Sequence, residues 1–224
     1  MRIIIVLLTF IFLLINGNTA IAHEALSTWK TSRESEQIQF SYRYLNIGDT
    51  LKTRQMRITF MVEAEITQLV PMFRNTENLK RWTLRAEHCE LIEQNQENWT
   101  IYSLFDIPWP FQQKDLITEY RLVKKDSSVE LFLIGRPSKL PQVKEVSRMG
   151  YFEGYWSFTT HENGCLKAEF TSITFQKPQF PKFIQDPIIQ NAFIDSIKHL
   201  KQLIKEQNLS NEWAYGACKM EESK

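Results

Sequence analysis

Glycine and histidine are scarce in this chain, with seven and four in 224 residues, and that scarcity removes several chemistries at once. No G-x-S-x-G elbow and no glycine-rich phosphate loop occurs, which excludes elbow-type nucleophilic hydrolysis and P-loop nucleotide binding. His23, His88, His161 and His199 are scattered, and His161 with Cys165 merely flanks a turn. Neither C-x2-C nor H-E-x-x-H is present, so no metal and no cofactor is expected. Excess charge of either sign is lacking too, with 27 basic residues against 26 acidic ones. Without a dominant basic patch, nucleic acid is not an expected partner. Three cysteines, Cys89, Cys165 and Cys218, are too few for a disulfide scaffold. They allow one bridge and leave one thiol over. The pairing stays open, and buried thiols at Cys89 and Cys165 are an equal reading.

Long apolar runs are absent with one exception. Ile3 to Ile15 carries no charge and only Thr9 as a polar interruption. As a helix it spans about 20 Å, short of the roughly 30 Å hydrocarbon core of a bilayer. Met1-Arg2 supplies a basic start, Asn16-Gly17-Asn18 a break, and Ala20-Ile21-Ala22 the small residues of a cleavage site. This pattern predicts a signal peptide over residues 1–22, cleaved after Ala22, and export to a periplasm or secretory route. An uncleaved anchor is the rival reading. Residues 23–207 then form one domain, large enough for a core of its own, and residues 208–224 form a polar tail where Trp213 and Tyr215 offer docking side chains.

What is present in quantity is aromatic: 15 Phe, 7 Tyr and 6 Trp, most of them in predicted strands. Residues 24–35 read as a polar lead-in with helical character. Alternation then predicts strands over 38–42 and 56–62, and Ile66, Leu69, Val70 and Phe73 recur at helical spacing in short helices ending near Trp82. Strand-like runs follow near 83–92, 98–106, 115–125, 129–136, 148–160 and 165–175, separated by short polar turns. Pro137 and Pro141 mark 137–147 as a loop. A helix is predicted over 183–207, with Ile189, Phe193, Ile197, Leu200 and Ile204 on one face. The order implies an α+β fold in which a curved antiparallel sheet grips a long C-terminal helix, with short helices after the first strands.

The succession of Trp82, Ile92-Glu93, IPWP at 107–110 and Lys114-Asp115 resembles the START (steroidogenic acute regulatory protein-related lipid transfer) domain family. Val146-x-Arg148, Gly154-x-Trp156 and the Pro178–Pro181 approach to the last helix are similar to its later landmarks. The likeness covers about residues 29–207. Lys114 stands where the family has Arg, which removes the guanidinium fork. Gln179-Phe180-Pro181 lacks the Gly that precedes the family's helix-opening Pro.

The resemblance implies a monomeric protein that binds a lipid or sterol-like apolar molecule in a cavity roofed by the C-terminal helix. Transfer through transient membrane contact is part of that implication, and chemistry is not. It places Leu116, Thr118 and Tyr120 on the cavity side of their strand, with Leu122. Trp156, Ile189, Phe193, Ile197 and Leu200 join them as lining residues, while Tyr102, Tyr155 and Ser103 offer polar tips. Arg148, if inward, needs an acid, and Glu153 and Glu169 are the candidates. A cyclase or dehydratase on the same fold is the enzymatic alternative, drawing its acids and bases from Glu153, Glu169 and Tyr120. A ligand-free interaction domain of the cell envelope is the third reading.

Overall fold

The computed structural model describes residues 23–47, 51–107, 112–161, 164–175, 181–208 and 218. The leader with its Ala22 site, the Trp-Pro elbow at 108–110, Pro178 and the pair Trp213 and Tyr215 lie outside these described residues. In chain order the elements are β1 (His23–Ala25), β2 (Lys30–Ser35), β3 (Ile38–Ile47), β4 (Leu51–Glu63), α1 (Ile66–Arg74) and α2 (Thr76–Trp82). There follow β5 (Ala86–Gln94), β6 (Asn98–Phe105), β7 (Lys114–Lys124), β8 (Ser128–Gly135), β9 (Ser147–Arg148), β10 (Tyr151–Thr160), β11 (Cys165–Phe175) and α3 (Lys182–Asn208).

One sheet holds all the strands, in the order β1-β3-β4-β11-β10-β8-β7-β6-β5, with β2 on β3 and β9 on β7. Every pairing is antiparallel except that of β7 with β9. The link from β4 to β5 carries the chain across the sheet through α1 and α2 to its opposite edge. Because side chains alternate along a strand, the register sorts the residues into two faces. Ile38, Phe60, Ala168, Phe158 and Val129 form one row of the concave face. Phe40, Ile58, Phe170, Trp156, Leu131 and Leu122 form the next. All belong to the buried core, together with Ile194, Ile197, Leu200, Leu203 and Ile204 of α3. The helix thus buries Ile197, Leu200 and Ile204 of the stripe that its sequence spacing predicts, adds Ile194 and Leu203, and leaves Ile189 and Phe193 partly buried.

The polar lead-in is a strand, not a helix. Ser35 pairs with Ile38 across a two-residue turn in which Glu36 and Gln37 adopt φ of 51° and 62°. Such turns match the twist of paired strands but are usually marked by Asn or Gly, and neither is present. Hydrogen bonding to β3 decides the conformation of a segment whose own pattern is uninformative. Cys165 and Cys218 form a disulfide, which fixes residue 218 of the predicted tail to the start of β11, and Cys89 is free. Among the described residues no helix is long and apolar enough to cross a membrane.

Candidate functional site

The concave side is packed unevenly. Beneath α1 and α2, Trp156 meets Phe60, Phe73, Trp82, Phe158 and Phe170 at ring separations of 4.5–6.2 Å. Phe60, Phe158, Ala168 and Leu200 are 0 % exposed there, so they border no space large enough for water. This end of the interior is solid, and Trp156, Ile197 and Leu200 belong to it. Near the start of α3, Phe152, Ile189 and Phe193 are only partly buried against the core, as are Ile66 and Val70 of α1 and Cys89 and Leu91 of β5.

The N-terminal half of the helix is tied to one side of the sheet. Arg54 of β4 donates two hydrogen bonds to the Asp186 carboxylate, at 2.7 and 2.8 Å. Ser32 donates to Gln190 at 3.1 Å, and Arg33 donates to Asn191. Phe193 lies between Phe40 and Phe170, at 6.0 and 6.1 Å between rings. On the β5 side the first polar contact comes later, where Leu84 N–H donates to Ser196 Oγ at 3.0 Å. The N-terminal half of α3 therefore hangs from β2, β3 and β4. Opposite it lies a floor made by β6, β7, β8 and β10.

That floor mixes apolar and neutral polar groups. Leu116, Thr118 and Tyr120 share the concave face of β7, next to Ser103 and Ile101 of β6 and Leu133 and Gly135 of β8. Gly154 is bare because a Cβ there would come within 3.1 Å of the Phe152 ring and 3.2 Å of Leu133 and Phe170. Tyr120 stacks flat on Trp99 at 5.1 Å, and Trp99 is fixed by its indole N–H donating to Phe73 O. Burial pushes the Tyr120 hydroxyl well above the usual phenol range, with the neighbouring Cys89 adding to the effect. Burial likewise raises the Cys89 thiol, which lies 3.7 Å from Ser103 Oγ. These groups stay protonated and neutral at ordinary pH. Ser172, 1 % exposed on the same face of β11, has no hydrogen-bond partner for its hydroxyl.

Three expected lining residues turn out to face the other way. Tyr102 and Tyr155 alternate with floor residues, and Tyr102 stands by His88 while Tyr155 packs on Phe132. Arg148 is neither exposed nor on the concave face. Its guanidinium forks onto Asp115 at 2.7 and 2.8 Å and also donates to the carbonyls of Pro137, Leu140 and Pro141. Glu153 and Glu169, the expected partners, also lie on the convex face. The Arg148–Asp115 pair staples the 137–147 loop to the back of β7. Adjacency in the Lys114-Asp115 dipeptide hid this role, because alternation sends the two side chains to opposite faces.

No family model matches the chain. An uncharacterized protein of Pseudomonas aeruginosa is 19 % identical over 180 residues, spanning 80 % of this chain and 88 % of that one. Among solved structures, a STAR-related lipid transfer protein fragment from Xanthomonas axonopodis superposes with a TM-score of 0.70 at 16 % identity. It covers 80 % of this chain and 99 % of the other. Human StAR-related lipid transfer protein 5 gives 0.67 at 11 % identity, over 82 % and 89 % of the two chains. Likeness at these identities is likeness of fold, and it matches the sheet order and gripped helix described above: the chain has the START helix-grip fold.

Proposed function

We propose that this protein binds one hydrophobic or amphipathic ligand, a lipid or sterol-like molecule, between the N-terminal half of α3 and the floor of β6, β7, β8 and β10. The observation that carries this reading is the START helix-grip fold, with Phe152, Ile189 and Phe193 incompletely covered beside the start of α3. A pocket of apolar walls with a few neutral polar groups suits such a molecule. Affinity would come from apolar burial, roughly 25 cal/mol per Å² before ordering costs are subtracted. Delivery to a membrane, with α3 or the 137–147 loop moving aside, is the accompanying proposal. Binding is favoured over a cyclase or dehydratase because Glu153 and Glu169 stand behind the sheet, leaving Tyr120 as the one named acid–base group on the floor. We also infer export, on the basis of residues 1–22 and a Cys165–Cys218 bridge suited to an oxidising compartment.

Native mass spectrometry of gently purified protein tests the reading. A co-purified or added lipid at one per chain is expected. Phe193→Asp puts a charge between Phe40 and Phe170 and is expected to abolish uptake while the helical circular-dichroism signal persists. Full uptake by that variant would remove α3 from the site.

A further inference from the structure

The floor is almost without charge, and the exceptions are informative. Among the described residues that are not exposed, two charged side chains lie on the concave face, Arg54 and Lys114; Arg33, opposite Phe40, is exposed and donates to Asn191. Arg54 is matched by Asp186. Lys114 has no acid opposite it. It occupies the same face of β7 as Leu116, Thr118 and Tyr120, beside Phe105 of β6 and Ser147 of β9. Its sequence neighbour Asp115 points to the other face and is consumed by Arg148. The ammonium is half-buried, and burial lowers its pKa with no carboxylate near enough to offset the effect. Partly burying a cation without a counter-charge costs free energy that an arriving anion would return.

We propose that Lys114 anchors the head group of the ligand, and that the ligand is an amphipathic anion carrying one carboxylate or phosphate. The apolar part lies along Leu116, Leu133, Phe152, Ile189 and Phe193, and the acid group sits at the Lys114 end of β7. Tyr120, Thr118 and Ser103, being neutral, serve the ligand's uncharged oxygens rather than its charge. The assignment rests on the lipid-binding reading above and narrows it from any apolar molecule to an acidic one.

The test compares three single-chain probes on the full-length protein: oleate, oleoyl lysophosphatidate and oleyl alcohol, measured by displacement of a fluorescent fatty-acid analogue. Wild type is expected to prefer at least one of the two anions over the alcohol by about tenfold or more, the scale of one charge-assisted hydrogen bond. Which anion wins distinguishes a carboxylate from a phosphate ligand. Lys114→Met should shrink that preference by about tenfold, and Lys114→Arg should keep most of it. Unfolding midpoints of both variants report whether either one fails to fold. An unchanged preference in a folded Lys114→Met protein overturns the assignment. Equal binding of alcohol and anions by wild type also overturns it, yet leaves the apolar-ligand reading standing. Failure of wild type to take up any of the three overturns both.

Discussion

At the scale of single residues, the most buried ion pair found among the described residues lies behind the candidate site. Arg148 and Asp115 have side chains 7 % and 0 % exposed, and each satisfies the other through a two-pronged contact. Removing one partner of such a buried pair leaves an uncompensated charge, at a cost of about 3–5 kcal/mol. Asp115→Ala is therefore expected to lower the denaturant midpoint sharply and to loosen the 137–147 loop in hydrogen exchange. Arg148→Leu should do the same, without changing which ligand is preferred. Lys114, one position away, should behave in the opposite way, with little effect on stability and a large one on ligand choice. The sequence shows both residues plainly, but it does not show that one faces in and the other out until the strand is given a direction. Ser172 is less legible still. Nothing in TSITF marks its hydroxyl as buried and unpartnered.

At the scale of elements, α3 and the disulfide make separable predictions. Arg54–Asp186 ties the start of α3 to β4 in a half-buried setting, where an ion pair contributes on the order of 1 kcal/mol. Asp186→Asn should thus barely move global stability. It should accelerate exchange of the first turns of α3 and shorten the residence time of a bound lipid in stopped-flow release. The Cys165–Cys218 bridge closes a separation of 53 residues. The chain-entropy account puts its contribution at up to about 4 kcal/mol. Reduction, or Cys165→Ser, should lower the unfolding midpoint accordingly, while thiol titration of the unreduced protein should find Cys89 alone. The α3 stripe was legible because a 3.6-residue period survives in any surroundings. The β2 strand was not, because Glu36 and Gln37 turn the chain without the residues that normally announce such a turn.

At the scale of the whole molecule, the proposed function divides one interior into a core and a binding end, and the division is testable. Leu200→Ala at the solid end should cost about 2–5 kcal/mol by leaving a void among well-packed neighbours, measured by equilibrium unfolding. It should leave ligand affinity within a few-fold of wild type. Changes at Phe193 or Phe152 should reverse that pattern. Finding that Leu200→Ala and Phe193→Asp damage stability and binding in the same proportion would mean that no division between core and site exists. The amino-acid sequence by itself determined the succession of the long strands from β3 onward, the gripped helix and the aromatic character of the interior. Each of these follows from local periodicity and composition, which act over a few residues. Only the tertiary structure decided which face each side chain serves and which cysteines join. Those depend on register between strands distant in the chain, and a shift of one residue would exchange Lys114 for Asp115 on the floor.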